Sequence, residues 1–499
     1  MDGERAERHL RLAAEAELRR VRAQPHQETS GSTAPLTGQA IGRLSRISGT
    51  LMAVGAIDAA RAEALADEFR TALGVRGLNP PGLGLHIGQT RMLQLRGLAQ
   101  RPTHATLGPA FGTAMAVATS TAAGVLPAVT GTAGPDPGAP AARPAMRVIP
   151  VGRMLAFREG EAHGEVYLLS LVLATDAATL PAVVHIRKSP SGPVLAAVRA
   201  HALPFQAMTA ADDAGRSYHL AFLGGGHADV WKGYFDVRPV PPPGVRWLQV
   251  IPGSGEPAVR IDLTARTRPA DATVEEAPST AGERLLDAVA VNMMVGAALN
   301  RPPGTQPADG LGEIVATLEA AGALSALSPA PGRLAALCQR LGLDSHGIPV
   351  PPAPELPGPW LDLIAHYGRR HQPRVRGGIA ALPVLLPELD GVQFALAGMH
   401  SHDDQTTLYV VGRGLPPAVG RFMAGPAVYF GSTWWLRDDA GRWHVAATHE
   451  WSDDGGGGIR LELRVYPPLG RGVTSVELVV TGASARIRTH LPVSWWAAA

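Results

Sequence analysis

The pentapeptide Asp212-Asp213-Ala214-Gly215-Arg216 recurs as Asp438-Asp439-Ala440-Gly441-Arg442, 226 residues further along the chain. Runs of alternating apolar and polar residues flank both copies, so each predicts a hairpin turn. Asp supplies a local side-chain-to-backbone hydrogen bond and Gly the positive φ that such turns need. The flanks keep the same offset. EVYLLSLVLATDAATLPAVV (165–184) falls on GVQFALAGMHSHDDQTTLYVV (391–411) without a gap, apart from the final residue. Glycine-rich loops follow in both, GGGHADV (224–230) and DDGGGGI (453–459), and differ in length by about two residues. The offset then becomes 228: Val237 and Pro239 fall on Val465 and Pro467, GVRWLQV (244–250) on GVTSVEL (472–478), and VRIDL (259–263) on IRTHL (487–491). Helical segments correspond more loosely, AVGAI (53–57) with AAGAL (320–324). The pattern predicts a unit of helical hairpin, linker and β-rich domain, present twice.

The segments between these marks follow from periodicity. Residues 1–24 predict an amphipathic helix with Leu10, Ala14, Leu18 and Val21 on one narrow stripe, which needs a partner surface. Residues 37–74 predict a helical hairpin broken at Gly55, with Asp58 capping the second helix. Residues 75–145, rich in Gly, Pro and Ala, read as linker, with a short helix or strand at 91–101. Residues 146–265 show strand signals with turns about every ten residues, the pattern of a sandwich or barrel. Residues 266–278 read as a polar linker. A second helical segment spans 279–345, opened by the capping box Thr280-Ala-Gly-Glu283. A Pro-rich linker with a short helix covers 346–375, and a second sandwich covers 376–499. The fold class expected is α+β: two tandem units, each a small helical hairpin followed by an antiparallel β-sandwich, Ig-like in general character.

Composition excludes several functions. The net charge is +2, so no strong field points at nucleic acid. The abundant Ala, Gly and Pro, with Arg in place of Lys, follow high-GC coding bias rather than chemistry. A single cysteine, Cys338, rules out an internal disulfide framework and a cysteine zinc site, and its apolar helical setting predicts a buried thiol. The charged start has no apolar core of a secretory signal. The uncharged stretch 104–134 is too interrupted by Pro, Gly and Thr to read as a membrane span. A cytoplasmic location and no membrane association are the expectation.

Few motifs carry chemistry. The cluster His400-Ser401-His402-Asp403-Asp404 would put His400, His402 and Asp404 on one side of a strand, a metal-like arrangement. The repeat register places it on Ala174 to Ala178, a turn without histidine, so a solvated turn is the plainer reading. The glycines at 224–226 and 455–458 lack the following helix that a phosphate loop needs, and read as hairpin loops. No Gly-x-Ser-x-Gly, His-Glu-x-x-His or Walker motif occurs. Trp434, Trp435, Trp443 and Trp451 crowd the second unit. An adjacent pair puts one ring on each face of a strand, so Trp434 and Trp435 cannot both enter the core of a two-layer sandwich. Such a ring either packs under the helical segment or stacks on a sugar or partner.

The reading favoured by the sequence is a non-enzymatic binding or scaffold protein acting through a protein partner, with no cofactor and no nucleic acid. Its rivals are a carbohydrate- or small-ligand-binding module using the second-unit tryptophans, and a metal-dependent enzyme centred on His400, His402 and Asp404.

Overall fold

The computed structural model describes residues 3–23, 40–72, 146–188, 208–299, 311–341, 358–367, 375–414 and 432–496, with short breaks inside several of these runs. The linker readings at 25–36 and 75–145 lie outside the described residues, as does Asp404.

Among the described residues strands dominate, and they are antiparallel with one short exception. The first β region contains β1 (Arg147–Glu159), β2 (Ala162–Leu173), β3 (Ala178–Lys188), β4 (Thr209–Asp212), β5 (Ser217–His227), β6 (Val230–Arg238), β7 (Trp247–Ile251) and β8 (Val259–Asp262). They hydrogen-bond into a single sheet in the order β1-β2-β3-β6-β5-β4-β7-β8. After β9 (Arg268–Pro269) and β10 (Ala272–Glu276) come the strands of the second region. These are β11 (Val375–Leu385), β12 (Gln393–Asp403), β13 (Gln405–Arg413), β14 (Thr433–Asp438), β15 (Trp443–Asp453), β16 (Gly458–Tyr466), β17 (Ser475–Thr481) and β18 (Ala485–Pro492). Their order is β11-β12-β13-β16-β15-β14-β17-β18, with β9 added beyond β11 and β10 beyond β18. The eight strands from β11 to β18 thus follow the same order as β1 to β8.

Each sheet is continuous and curls over its own apolar side, so the two-layer character comes from one sheet facing itself. Leu168, Leu180, Phe235, Leu248 and Ile261 share one core, and Phe394, Leu408, Trp434, Leu461 and Ile487 another. In the first sheet the edges approach each other. Arg147 Nη2 donates to the Leu263 carbonyl at 2.6 Å and the Val148 amide to Thr267 Oγ1 at 3.0 Å.

The polar linker expected at 266–278 is instead two strands of the second sheet. β9 runs parallel to β11 and β10 antiparallel to β18, so this segment reaches both of that sheet's edges. Its side chains are mostly exposed, which is why no apolar alternation announced it; backbone pairing alone makes it a strand.

The two sheets meet outer face to outer face. Val148, Tyr167, Leu169, Val183 and Tyr234 of the first pack on Ile379, Ala395, Ala397, Tyr409 and Val411 of the second. Tyr234 Oη donates to the Leu461 carbonyl at 2.8 Å, and a buried Arg460–Asp236 ion pair crosses the same seam.

A helical layer covers another part of the second sheet. It comprises the helices Gly3–Ala23, Ala59–Ala72, Ala281–Leu299, Leu311–Ala320, Ala330–Leu341 and Gly358–Tyr367, with a helical turn at 47–52. Local chemistry fixes their ends. The Asp58 carboxylate accepts the Arg61 amide at 2.7 Å, and Thr280 and Glu283 exchange the reciprocal bonds of a capping box at 3.0 and 3.3 Å. Gly55 and Gly322, in the two related pentapeptides, both turn the chain at φ 67°. The apolar stripe of the first helix finds its surface here: Leu10 joins Leu51, Leu318, Leu334, Val445 and Tyr466 in one cluster. Buried Glu17 is held by Arg20 and Arg43 at 2.9 and 2.7 Å.

Candidate functional site

The repeated turns are built alike. Asp212 accepts the amides of Ala214 and Arg216, both at 2.9 Å, and Arg216 Nε at 2.7 Å. Asp438 accepts the amides of Ala440 and Arg442 at 3.0 and 2.8 Å, and Arg442 Nε at 2.8 Å. One further position differs. Tyr218 Oη donates to Asp212 at 2.7 Å, where His444 Nε2 stands 3.4 Å from Asp438. Burial would raise both carboxyls, but the bonds from Tyr218 and Arg216 bring Asp212 down to about 2, and those from His444 and Arg442 hold Asp438 well below the usual range. Carboxylates so saturated with donors are turn bolts, with no lone pair directed at a substrate.

The glycines at 224–226 are strand residues, not the expected hairpin loop. Gly224, Gly225 and Gly226 pair with Gly233, Lys232 and Trp231, and the connection falls after His227. The reason is close approach: a Cβ on Gly224 would sit 2.1 Å from the Lys232 carbonyl oxygen and 2.7 Å from Gly233 Cα.

Trp434 and Trp435 occupy opposite faces of β14, as alternation requires. Trp434 is buried inside the second sheet's core, edge-on to Phe394 at 5.4 Å. Trp435 lies under the helical layer, its ring 5.1 Å from that of Trp360. Trp443 stands 6.2 Å from Trp435, with the Arg437 guanidinium 5.6 Å above its ring. Trp451 lies on β15. Beneath Trp360 is a recess lined by Leu286, Asp287, Ala290, Arg333 and Leu337. Burial raises the Asp287 carboxyl to about 6, although Arg333 stands 3.7 Å away. Cys338, in the next turn, is fully buried.

The histidine cluster departs most from expectation. His400, Ser401 and His402 are not a solvated turn: β12 runs to Asp403, whereas β2 ends at Leu173. A bulge between Leu396 and Gly398 shifts the alternation. Leu396 and Met399 then enter the second core, while Ala395 and Ala397 face the seam between the sheets. His400 follows on the seam side and is 0% exposed; His402, two residues on, is exposed.

The structure brings to them a residue that the sequence did not single out. His185, on β3, stands with its ring centroid 5.5 Å from that of His400 and 6.4 Å from that of His402. The His400 and His402 rings are 6.1 Å apart. Nothing in the chain marks His185, since its repeat-equivalent position is Val411 and 215 residues separate it from His400. Around the cluster lie charges of both signs. Glu165 accepts Tyr167 Oη at 2.6 Å and Arg187 at 2.8 Å, while Lys232 Nζ donates to Thr407 Oγ1 at 3.3 Å. Among the described residues neither ring nitrogen of His400, both of them buried, has a hydrogen-bond partner. Burial, with the charges of Lys232 and the neighbouring histidines, lowers its pKa well below the ordinary histidine value, so the ring is neutral.

Among the described residues no helix is long and apolar enough to cross a membrane. No family model, curated protein or solved structure matches the chain.

Proposed function

We propose that the protein is a non-enzymatic intracellular scaffold, made of two related units in tandem, each a helical hairpin and a sandwich-like β domain, and that it acts by binding a protein partner. The observation that carries this reading is an asymmetry of cover. In the second sheet the outer side of β14 and β15 presents Trp435, Val445 and Ala447 to the helices. At the repeat offset of 226 these positions become Thr209, His219 and Ala221, of which Thr209 and His219 are exposed. Among the described residues the first sheet therefore offers an open face where the second is capped. Three strands present it in direct register, with His219 opposite Thr209 and Thr209 opposite Ile251. Leu223 and Ile251 are 44% and 37% exposed on it, and the Arg260 guanidinium stacks 4.5 Å over the Trp247 ring at its edge. A mixed apolar and polar face with an aromatic and an arginine suits a protein interface. The carbohydrate reading has less support, because Trp434 fills a core and Trp435 packs against Trp360.

The test is a pull-down from the native organism with wild type and a Leu223→Asp/Ile251→Asp variant. A partner retained by the first and lost by the second is expected. The reading fails if purified protein turns over a member of a broad hydrolase or transferase panel at a rate abolished by one substitution.

A further inference from the structure

We propose that His185, His400 and His402 form a binding site for a late first-row divalent cation, zinc foremost, which ties β3 of the first sheet to β12 of the second. The inference does not depend on the scaffold reading.

His400 carries the argument. A fully buried imidazole with both nitrogens unpartnered is an anomaly in a packed interior, where polar atoms are paired almost without exception. Its neutral ring keeps one lone pair available, and two further imidazoles, His185 and His402, stand beside it. Histidine nitrogen suits zinc, copper and nickel, and three histidines with one open position form a recurrent zinc set.

The spacing fits. Rings sharing a tetrahedral zinc, with Zn–N near 2.0–2.1 Å, have centroids about 5.2 Å apart. The three separations here are 5.5, 6.1 and 6.4 Å. Among the described residues no three such groups already stand in coordinating geometry, so the rings must draw together by about 1 Å. His402 allows this: it is exposed near the end of β12, on the same side of the strand as His400. Its exposure also leaves an entry path and room for a water as fourth ligand. Glu165 lies opposite His185 in the β2–β3 register, and Lys232 Nζ donates to Thr407, the residue opposite His400 on β13. The site therefore holds a cation against one nearby ammonium with one nearby carboxylate.

Untagged full-length protein, stripped with EDTA, is titrated with Zn2+ and separately with Co2+, then passed through a desalting column. One equivalent of zinc retained per chain is expected, together with the intense visible absorption of four-coordinate cobalt. His402→Gln alters an exposed side chain and leaves the fold intact; it should lower retained zinc at least tenfold and abolish the cobalt band. His185→Gln and His400→Gln should do the same, with circular dichroism confirming that each remains folded. His490→Gln, at an exposed histidine on β18 outside the cluster, should keep full binding. Substoichiometric zinc on the wild type, or undiminished retention by His402→Gln and His185→Gln, would overturn the proposal.

Discussion

Replacing His400 by leucine should leave the stability of the metal-free protein nearly unchanged. The ring is 0% exposed, and among the described residues neither nitrogen has a hydrogen-bond partner. A neutral imidazole has one donor and one acceptor. Leaving each buried and unmade costs about 1–3 kcal/mol, so about 2–6 kcal/mol is at stake. Two losses oppose the gain. Leucine is close in volume but not planar, and such a change of shape in a packed site costs about 1–3 kcal/mol. The ring contacts with His185 at 5.5 Å and His402 at 6.1 Å contribute about 0.5–1.5 kcal/mol each. At the centres of these ranges a gain of about 4 kcal/mol meets losses of about 2 and about 2, so the net change is close to zero. Equilibrium urea unfolding in EDTA should show nearly the same midpoint and slope for both proteins. Repeating the measurement with saturating zinc should leave the variant below the wild type, because only the wild type gains the binding free energy. A His400→Leu variant that loses more than about 1 kcal/mol in EDTA would refute the reasoning, since His400 would then be satisfied by something other than a metal.

Other substitutions test the frame around the site. Asp212→Asn should lower the urea midpoint at neutral pH. The carboxyl's folded pKa, about 2, lies below its ordinary value of 3.8, so its stabilisation is present above pH 4 and fades as pH falls toward 2; the two proteins should converge across that window and at no higher pH. Asp287→Asn should have the opposite sign. Its folded pKa is raised from 3.8 to about 6, chiefly by burial, so stability is lost as pH rises between those values. With 35% of the side chain exposed, screening reduces the gain on substitution to about 1 kcal/mol near pH 7, and the gain should vanish near pH 4. Trp360→Ala should cost about 3–5 kcal/mol and erase much of the near-ultraviolet dichroism, because the ring is buried between the helical layer and Trp435; a loss under 1 kcal/mol would mean that the layer is held elsewhere.

Much of this fold was legible because its signals are local. Asp-Asp-Ala-Gly-Arg turns, strand alternation, the Thr280–Glu283 capping box and the Asp58 cap are each decided within a few residues, and the structure places bonds at all of them. The paired tryptophans were legible as one inward and one outward ring, though not which partner the outward ring would meet. β10 was illegible because its exposed side chains carry no pattern and its strand character comes from β18.

The sequence by itself determined which residues turn, which alternate and which cap, since those depend on neighbours in the chain. Only the tertiary structure decided where the uncompensated chemistry lies. His400 reads as polar and turn-bound in sequence; a four-residue extension of β12, a bulge at Leu396–Gly398 and the packing of a second sheet make it the most buried member of a three-histidine group. His185 comes from the other sheet, and that meeting is a matter of packing between distant segments, to which no local propensity refers.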